Sequence, residues 1–316
     1  MKRFNYALLA ACMLLVSCVK DNNDSCPAQS CTMTINAYIV SGNQTKANTV
    51  TEKQDWLEGD ELGVFVCDGT IDQPYLSNAE RYVNVAFRHN GQGFVCGDIY
   101  LDENPAEIFA YYPYNALSKV GSQVPVESST QTDYLYGHAE TPASISQKNV
   151  NIAMKHALSQ VVFRIKKSPK YTEGDCTLTK LTIENNDSQN VFKTAGTLDL
   201  SSGLITGSSN MGTLTLMPGS SVVLNEEYQT ISSICLPVGP TSGKNIKAVF
   251  VIDGKSLRYE FPMGTQWAAG YRNIYTLTVE NSGLEIGGGG DGSDEGITIE
   301  PWEDNTDGDI SLVPIL

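Results

Sequence analysis

Eight cysteines, three histidines and 36 acidic residues are the groups that could do chemistry in this chain of 316 residues. The histidines, His89, His138 and His156, stand far apart, and no GxSxG, HExxH or phosphate-cradling glycine loop accompanies them. Carboxylates are numerous enough for a glycosidase pair, but no spacing places two of them on facing strands. The Asp/Gly-rich segment 291–308 fits neither the EF-hand nor the nonapeptide calcium pattern. No CxxC or mixed Cys/His cluster points to a metal. No catalytic residue, metal or cofactor is therefore assigned, and the chain is expected not to be an enzyme. The cysteine with a definite chemistry is Cys18. Lys2 and Arg3 precede the apolar run Tyr6–Val16, which is too short to span a bilayer, and the run ends in Leu15-Val16-Ser17-Cys18. That is the pattern in which a bacterial lipoprotein is cut and the cysteine thiol takes a diacylglycerol. Leu9-Ala10-Ala11-Cys12 also fits, but it leaves only Phe4–Leu8 as an apolar run.

Residues 1–17 are thus expected to be a lipoprotein signal peptide and 18–32 a solvated tether. The polar stretch after Cys18 carries two aspartates and resembles the acidic export tag of surface lipoproteins in the Bacteroidetes. Such a tag implies an outer-membrane protein facing outward, held by its acyl chains at about 0.8 kcal/mol per buried methylene. Loss of the signal removes Lys2 and Arg3 and takes the net charge from −15 to −17. Acidity of this size disfavours nucleic acid as a partner, because phosphate binding needs basic patches. Beyond Cys18 six cysteines remain, an even number in an oxidising compartment. Pairs 67–96 and 26–31 are conceivable, and buried free thiols are an equal expectation for the central four.

The elements that would position any site are short strands separated by turns. Met33–Val40 alternates apolar and polar. Leu62–Val66 is a continuous apolar run, Arg81–Phe87 alternates, and Ile108–Tyr112 is stopped by Pro113. Eight further strands follow between Gln160 and Val279, with Asp253-Gly254 as a hairpin turn. Helical periodicity is almost absent, so the expected fold is all-β, built as β-sandwiches. The polar, poorly patterned stretch 115–150 puts a boundary near 155, giving an N-terminal domain over 33–155 and a C-terminal one over 156–281. Tyr111, Tyr112, Tyr114, Tyr134 and Tyr136 cluster in sequence, either as core and turn-edge residues or as a sugar platform.

Residues 282–296 read as a glycine-rich linker. The tail 297–316 is apolar and strand-like, with Ile297, Ile299, Trp302, Ile310, Leu312 and Val313 as its anchors. An orphan strand leaves its backbone and apolar face without partners in water. Two destinations are open, its own domain or a sheet of another subunit.

Several segments in this order resemble the fimbrillin (Mfa-like) family of Bacteroidales, the subunits of type V pili. They are the lipobox, Thr45-Lys-Ala47, Trp56-Leu-Glu-Gly-Asp-Glu-Leu-Gly-Val-Phe65, Phe109-Ala-Tyr-Tyr-Pro-Tyr114, His156–Phe163, Gly270–Thr278 and Ile299–Asp304. The resemblance implies two tandem transthyretin-like sandwiches and a fimbrial subunit that supports cell adhesion. It also implies proteolysis-triggered donor-strand exchange. A trypsin-like protease cuts near the N-terminus, the first strand leaves, and a strand of another copy or a related pilin takes its place. Carried onto this chain, the displaced strand holds Met33, Ile35, Ala37 and Ile39, the cut falls after Lys46 with Lys53 second, and the tail donates. An anchor or tip role in the same pilus, or a non-polymerising surface lipoprotein that binds a host or bacterial receptor or glycan, are the alternatives.

Overall fold

A computed structural model describes residues 29–40, 53–76, 81–217, 220–286 and 297–301. Cys18, Lys46, Trp302, Ile310, Leu312 and Val313 lie outside them. Among the described residues there are twenty strands and one 3-10 turn at 121–123, and no helix is long and apolar enough to cross a membrane.

The first half closes on itself. β1 (Gln29–Ile39), β4 (Phe94–Leu101), β3 (Val85–His89), β2 (Glu61–Cys67), β5 (Glu107–Tyr112), β7 (Leu135–His138) and β8 (Asn149–His156) follow one another around a barrel. All its pairings are antiparallel except that of β8 with β1, which is parallel and completes the ring. Alternation decides what goes inside. On β8, Val150, Ile152 and Met154 are fully inside while Asn149, Asn151 and Lys155 face out. Leu62, Val64 and Val66 of β2 join the same core, with Phe87, Phe94, Ile108 and Ala110.

β2 is buried on both faces, which explains why its sequence runs apolar without alternation. Phe65 and Cys67 point outward from the barrel into a second cluster with Phe109, Tyr111, Val124, Val126, Leu198 and Leu200. The cover is a three-stranded sheet of β6 (Val124–Glu127), β11 (Ala195–Leu198) and β12 (Ile205–Gly207). Its strands come from both halves, so the halves are joined by backbone pairing.

The second half is a sandwich. One sheet holds β13 (Thr213–Leu216), β10 (Thr177–Asn185), β16 (Ile246–Ile252) and β17 (Lys255–Glu260), with β14 (Val222–Val223) also on β10. The other holds β15 (Gln229–Cys235), β9 (Ser159–Lys167), β18 (Tyr271–Glu280) and β19 (Gly283–Ile286), with β20 (Ile297–Pro301) also on β18. Phe163 meets Phe250 edge-on across the layers at 5.3 Å, and Trp267 donates its indole N–H to the Tyr275 hydroxyl at 2.9 Å. The Asp253-Gly254 turn forms as read, both residues taking positive φ. The Asp253 carboxylate accepts the N–H groups of Cys176 and Thr177 at 2.8 Å each and ties the turn to β10.

Five sequence readings change. β1 begins at Gln29, inside the expected tether 18–32, and β19 lies inside the expected linker 282–296. Arg81–Phe87 is a strand only from Val85, because Asn84 takes positive φ and breaks the extended run. The stretch 115–150 contains β6, β7 and the first residues of β8. The 67–96 cysteine bridge is not made. Cys67 belongs to the outer cluster and Cys96 packs against the barrel core, on opposite faces of the wall. Cys31, Cys176 and Cys235 are also free thiols, and burial holds Cys67 and Cys235 neutral with their pKa pushed up to about 12.

Gln131, in the stretch read as polar and poorly patterned, clamps the halves. Its amide donates to the Ile234 carbonyl at 3.0 Å and accepts the Ile234 N–H at 2.9 Å, imitating one rung of a sheet on the outer edge of β15. Ile234 is fully buried, so Gln131→Ala strands a donor and an acceptor away from water. The expected loss is about 1–3 kcal/mol, read as a lower urea midpoint at unchanged slope. An unchanged midpoint would show that the clamp carries no weight.

Candidate functional site

β1 is seated in two overlapping halves. Its first half pairs with β4, from Gln29↔Leu101 to Ile35↔Phe94, with an irregularity between Cys31 and Met33. Its second half pairs with β8, from Thr34↔Asn149 to Ile39↔Met154. Only Thr34 and Ile35 are paired on both sides. The four residues read as the strand's apolar face all point to the core. Met33 and Ile35 are fully buried, and Ala37 and Ile39 pack against the same cluster. The other face is polar. Asn36 donates its amide to Asn151 at 3.2 Å, and Tyr38 donates its hydroxyl to Glu140 at 2.9 Å.

This geometry gives β1 a dual dependence. Its backbone is satisfied by two neighbours, and its side chains fill part of a common core. Burial of a residue such as Met33 or Ile35 contributes about 1.5–3 kcal/mol. Without β1 the ring has two open edges, on β4 and β8, and an apolar groove between them.

Past Ile35 the β4 pairing ends, and the next carbonyl cap on β1 comes from a loop. Trp56 donates its indole N–H to the Ala37 carbonyl at 2.8 Å. The ring meets Phe94 edge-on at 4.9 Å and Tyr112 at 5.4 Å. Lys53 braces it, with Nζ 2.5 Å from Asp60, 5.0 Å from the Tyr112 ring and 5.6 Å from the indole. Asp60 also accepts the Leu57 N–H at 2.7 Å, and Gly59 supplies the positive φ that brings the chain round.

Lys53 is therefore a structural residue in this fold. Its side chain is only 14% exposed, and its own N–H is donated to Asp133 at 2.9 Å. The other Asp133 oxygen lies 3.0 Å from Nδ1 of His156, both side chains being buried. His156, at the end of β8, is a buried residue of the barrel wall. Asp133 had no signal in the sequence, and Trp56 stood out only as part of a longer motif.

The tail begins at home. The backbone of β20 pairs antiparallel with β18, from Tyr271↔Pro301 to Tyr275↔Ile297, so Ile297 and Ile299 lie on their own chain's sheet. β19 occupies the rest of that edge, from Leu277↔Ile286 to Glu280↔Gly283. The two segments follow one another along β18, whose opposite edge is held by β9.

The tyrosines do not form an exposed platform. Tyr111 is buried and bonded to Asn84 at 2.8 Å, and burial raises its hydroxyl pKa. Tyr134 and Tyr136 pack on the outer cluster, and Tyr112 packs on the barrel core. Among the described residues no group of His, Cys, Asp and Glu could hold a metal ion. The depression beside the β3–β4 turn, lined by Glu58, Arg88, His89 and Asn90, presents one carboxylate, whereas glycoside hydrolysis calls for two.

A family model described as fimbrillin-like matches residues 45–302 of this chain. No curated protein sequence matches it. Among solved structures, a candidate cell adhesion protein from Bacteroides uniformis matches with a TM-score of 0.59 at 20% identity, over 86% of this chain and 99% of that one. A candidate cell adhesion protein from Bacteroides ovatus matches with a TM-score of 0.58 at 17% identity, over 89% and 99%. At these identities the likeness concerns the fold.

Side-chain seating on β1 is directly measurable. Ile35→Ala should destabilise the protein by about 2–4 kcal/mol, whereas Asn36→Ala on the outer face should stay within about 0.5 kcal/mol. Equal effects of the two substitutions in urea unfolding would mean that β1 does not share the barrel core.

Proposed function

Because the chain belongs to the fimbrillin-like family, we propose that it is a structural subunit of a cell-surface fimbria, assembled by exchange of β1 for a strand of another copy. Membership places it among fimbrial proteins and not among enzymes. The observation that carries the proposal is the seat of β1. One strand near the N-terminus closes the barrel, its apolar side chains fill the core, and its departure leaves two edges and a groove that only another strand can fill.

In this reading Cys18 carries the lipid that brings the subunit to the outer membrane. A trypsin-like protease then cuts after Lys46, in the segment between β1 and β2. The fixed state of Lys53 supports Lys46 over Lys53, since a basic side chain must enter the protease pocket and Lys53 is held by Asp60. Cleavage severs β1 from the rest of the barrel. The strand is then retained only by hydrogen bonds and burial, and a competing strand can replace it. The donor is the tail 297–316, and the part of the expected linker 282–296 that follows β19 gives it reach. Adhesion to a surface receptor or glycan is the purpose such a fibre would serve.

The β20–β18 pairing favours a second reading, in which the tail stays on its own domain and the protein remains a non-polymerising surface lipoprotein that binds glycan. The two readings differ in the product of proteolysis. Low-dose trypsin on the unlipidated precursor, with N-terminal sequencing and size measurement, should yield a new terminus at Ala47 and growing, heat-resistant oligomers. A persistent monomer after the cut would favour the second reading.

Two variants sharpen the test. Lys46→Ala should leave the mature N-terminus unformed and the protein monomeric, and an unchanged terminus would remove Lys46 from the scheme. Deletion of 297–316 should give a folded subunit that accepts a strand but cannot donate one. Normal fibre growth by that variant alone would rule out the tail as donor.

A further inference from the structure

We infer that Trp56 is a positioning residue of the exchange seat, capping with its indole N–H the backbone carbonyl at position 37 of whichever strand lies beside β8, first β1 and then its replacement. The first half of this inference rests only on the geometry of the closed barrel. The second rests on the exchange reading above.

Register shows why a cap is needed. The β4 ladder stops at Ile35↔Phe94, because the chain turns away through Asn90-Gly-Gln-Gly93 toward β3. The second half of β1 then has β8 on one side and no strand on the other. At that point the Trp56 N–H reaches the Ala37 carbonyl at 2.8 Å. The Ala37 carbonyl is half-buried, and a carbonyl withdrawn from water without a donor is costly, so the indole stands in for the missing ladder rung.

The indole is also held in place independently of β1. Phe94 and Tyr112 fix the ring edge-on from the barrel wall, and Lys53 with Asp60 fixes the loop that carries it. All these braces lie after Lys46, in the part of the chain that stays behind when β1 leaves. The donor N–H therefore remains aimed at the same point once the seat is vacated. Its target is a main-chain carbonyl, which every strand has. A contact of this kind accepts any sequence whose backbone adopts the right register, and leaves discrimination to the pockets of Met33 and Ile35.

Trp56→Phe keeps a ring against Phe94 and Tyr112 and removes only the donor. Amide hydrogen exchange in the uncut protein should become about tenfold faster across residues 36–40, with the amides of β9 unchanged. A synthetic peptide of residues 297–316, seated in trypsin-nicked protein, should also dissociate about tenfold faster from the variant. Unchanged exchange across 36–40 would overturn the cap on β1. Faster exchange there with an unchanged peptide off-rate would overturn the cap on the replacement strand. A peptide that never binds nicked wild-type protein would overturn the exchange reading and the second half of this inference, while the uncut protein still decides the first. If Trp56→Phe does not fold, Lys53→Gln serves in its place. It removes the Lys53–Asp60 ion pair while the indole is kept, and the same segment should again exchange faster. An unchanged rate there would overturn the inference.

Discussion

A β-barrel is free of edges only while every strand is in place, and in this protein the ring is closed by a strand that lies near one end of the chain. β1 is antiparallel to β4 over one half and parallel to β8 over the other, with two residues shared. Among the described residues no other strand bridges β4 and β8. Backbone pairing and core filling thus depend on the same eleven residues. In the proposed exchange this keeps the barrel stable as a precursor and makes it conditional after the cut. A cut in the segment between β1 and β2 leaves the pairings of β1 in place, but it turns an intramolecular strand into a replaceable one.

The frame around β1 has supports of its own, although β4 pairs with β3 at only two positions. The outer face of β2 and β5 is covered by the β6–β11–β12 sheet, which belongs to both halves. Gln131 adds a rung to β15, and the buried Asp133–His156 pair fixes the end of β8 and the start of the Lys53 loop. The second half is a sandwich with its own aromatic core. A groove opened by loss of β1 would be bounded by strands held from their other sides.

Much of this was legible from the sequence for simple reasons. Met33–Ile39 alternates, and alternation in a strand with one buried face leaves little choice of orientation. Asp253-Gly254 announced its turn through the backbone geometry only such pairs accept easily. The double burial of β2 was visible as an unbroken apolar run, though not the identity of its cover, because β6 and β11 are four-residue strands far apart in sequence. The β8 strand also alternates, from Asn149 to His156, but it begins in the stretch 115–150 read as poorly patterned and was not recognised. The brace on Lys53 and the Trp56 cap are tertiary facts that no spacing could reveal. The first strand of the tail was recognised as a strand, while its pairing with β18 was one of two destinations a lone strand leaves open.

Strand exchange turns on which segment lies between β4 and β8 after proteolysis. The direct measurement is a high-resolution structure of the oligomers formed by trypsin-treated protein, with the chain in that position identified by its side chains. Exchange predicts a segment from 297–316 of another copy, with apolar side chains where Met33 and Ile35 had been. Finding β1 still in its seat, or the tail still paired with its own β18 over an empty groove, would contradict it.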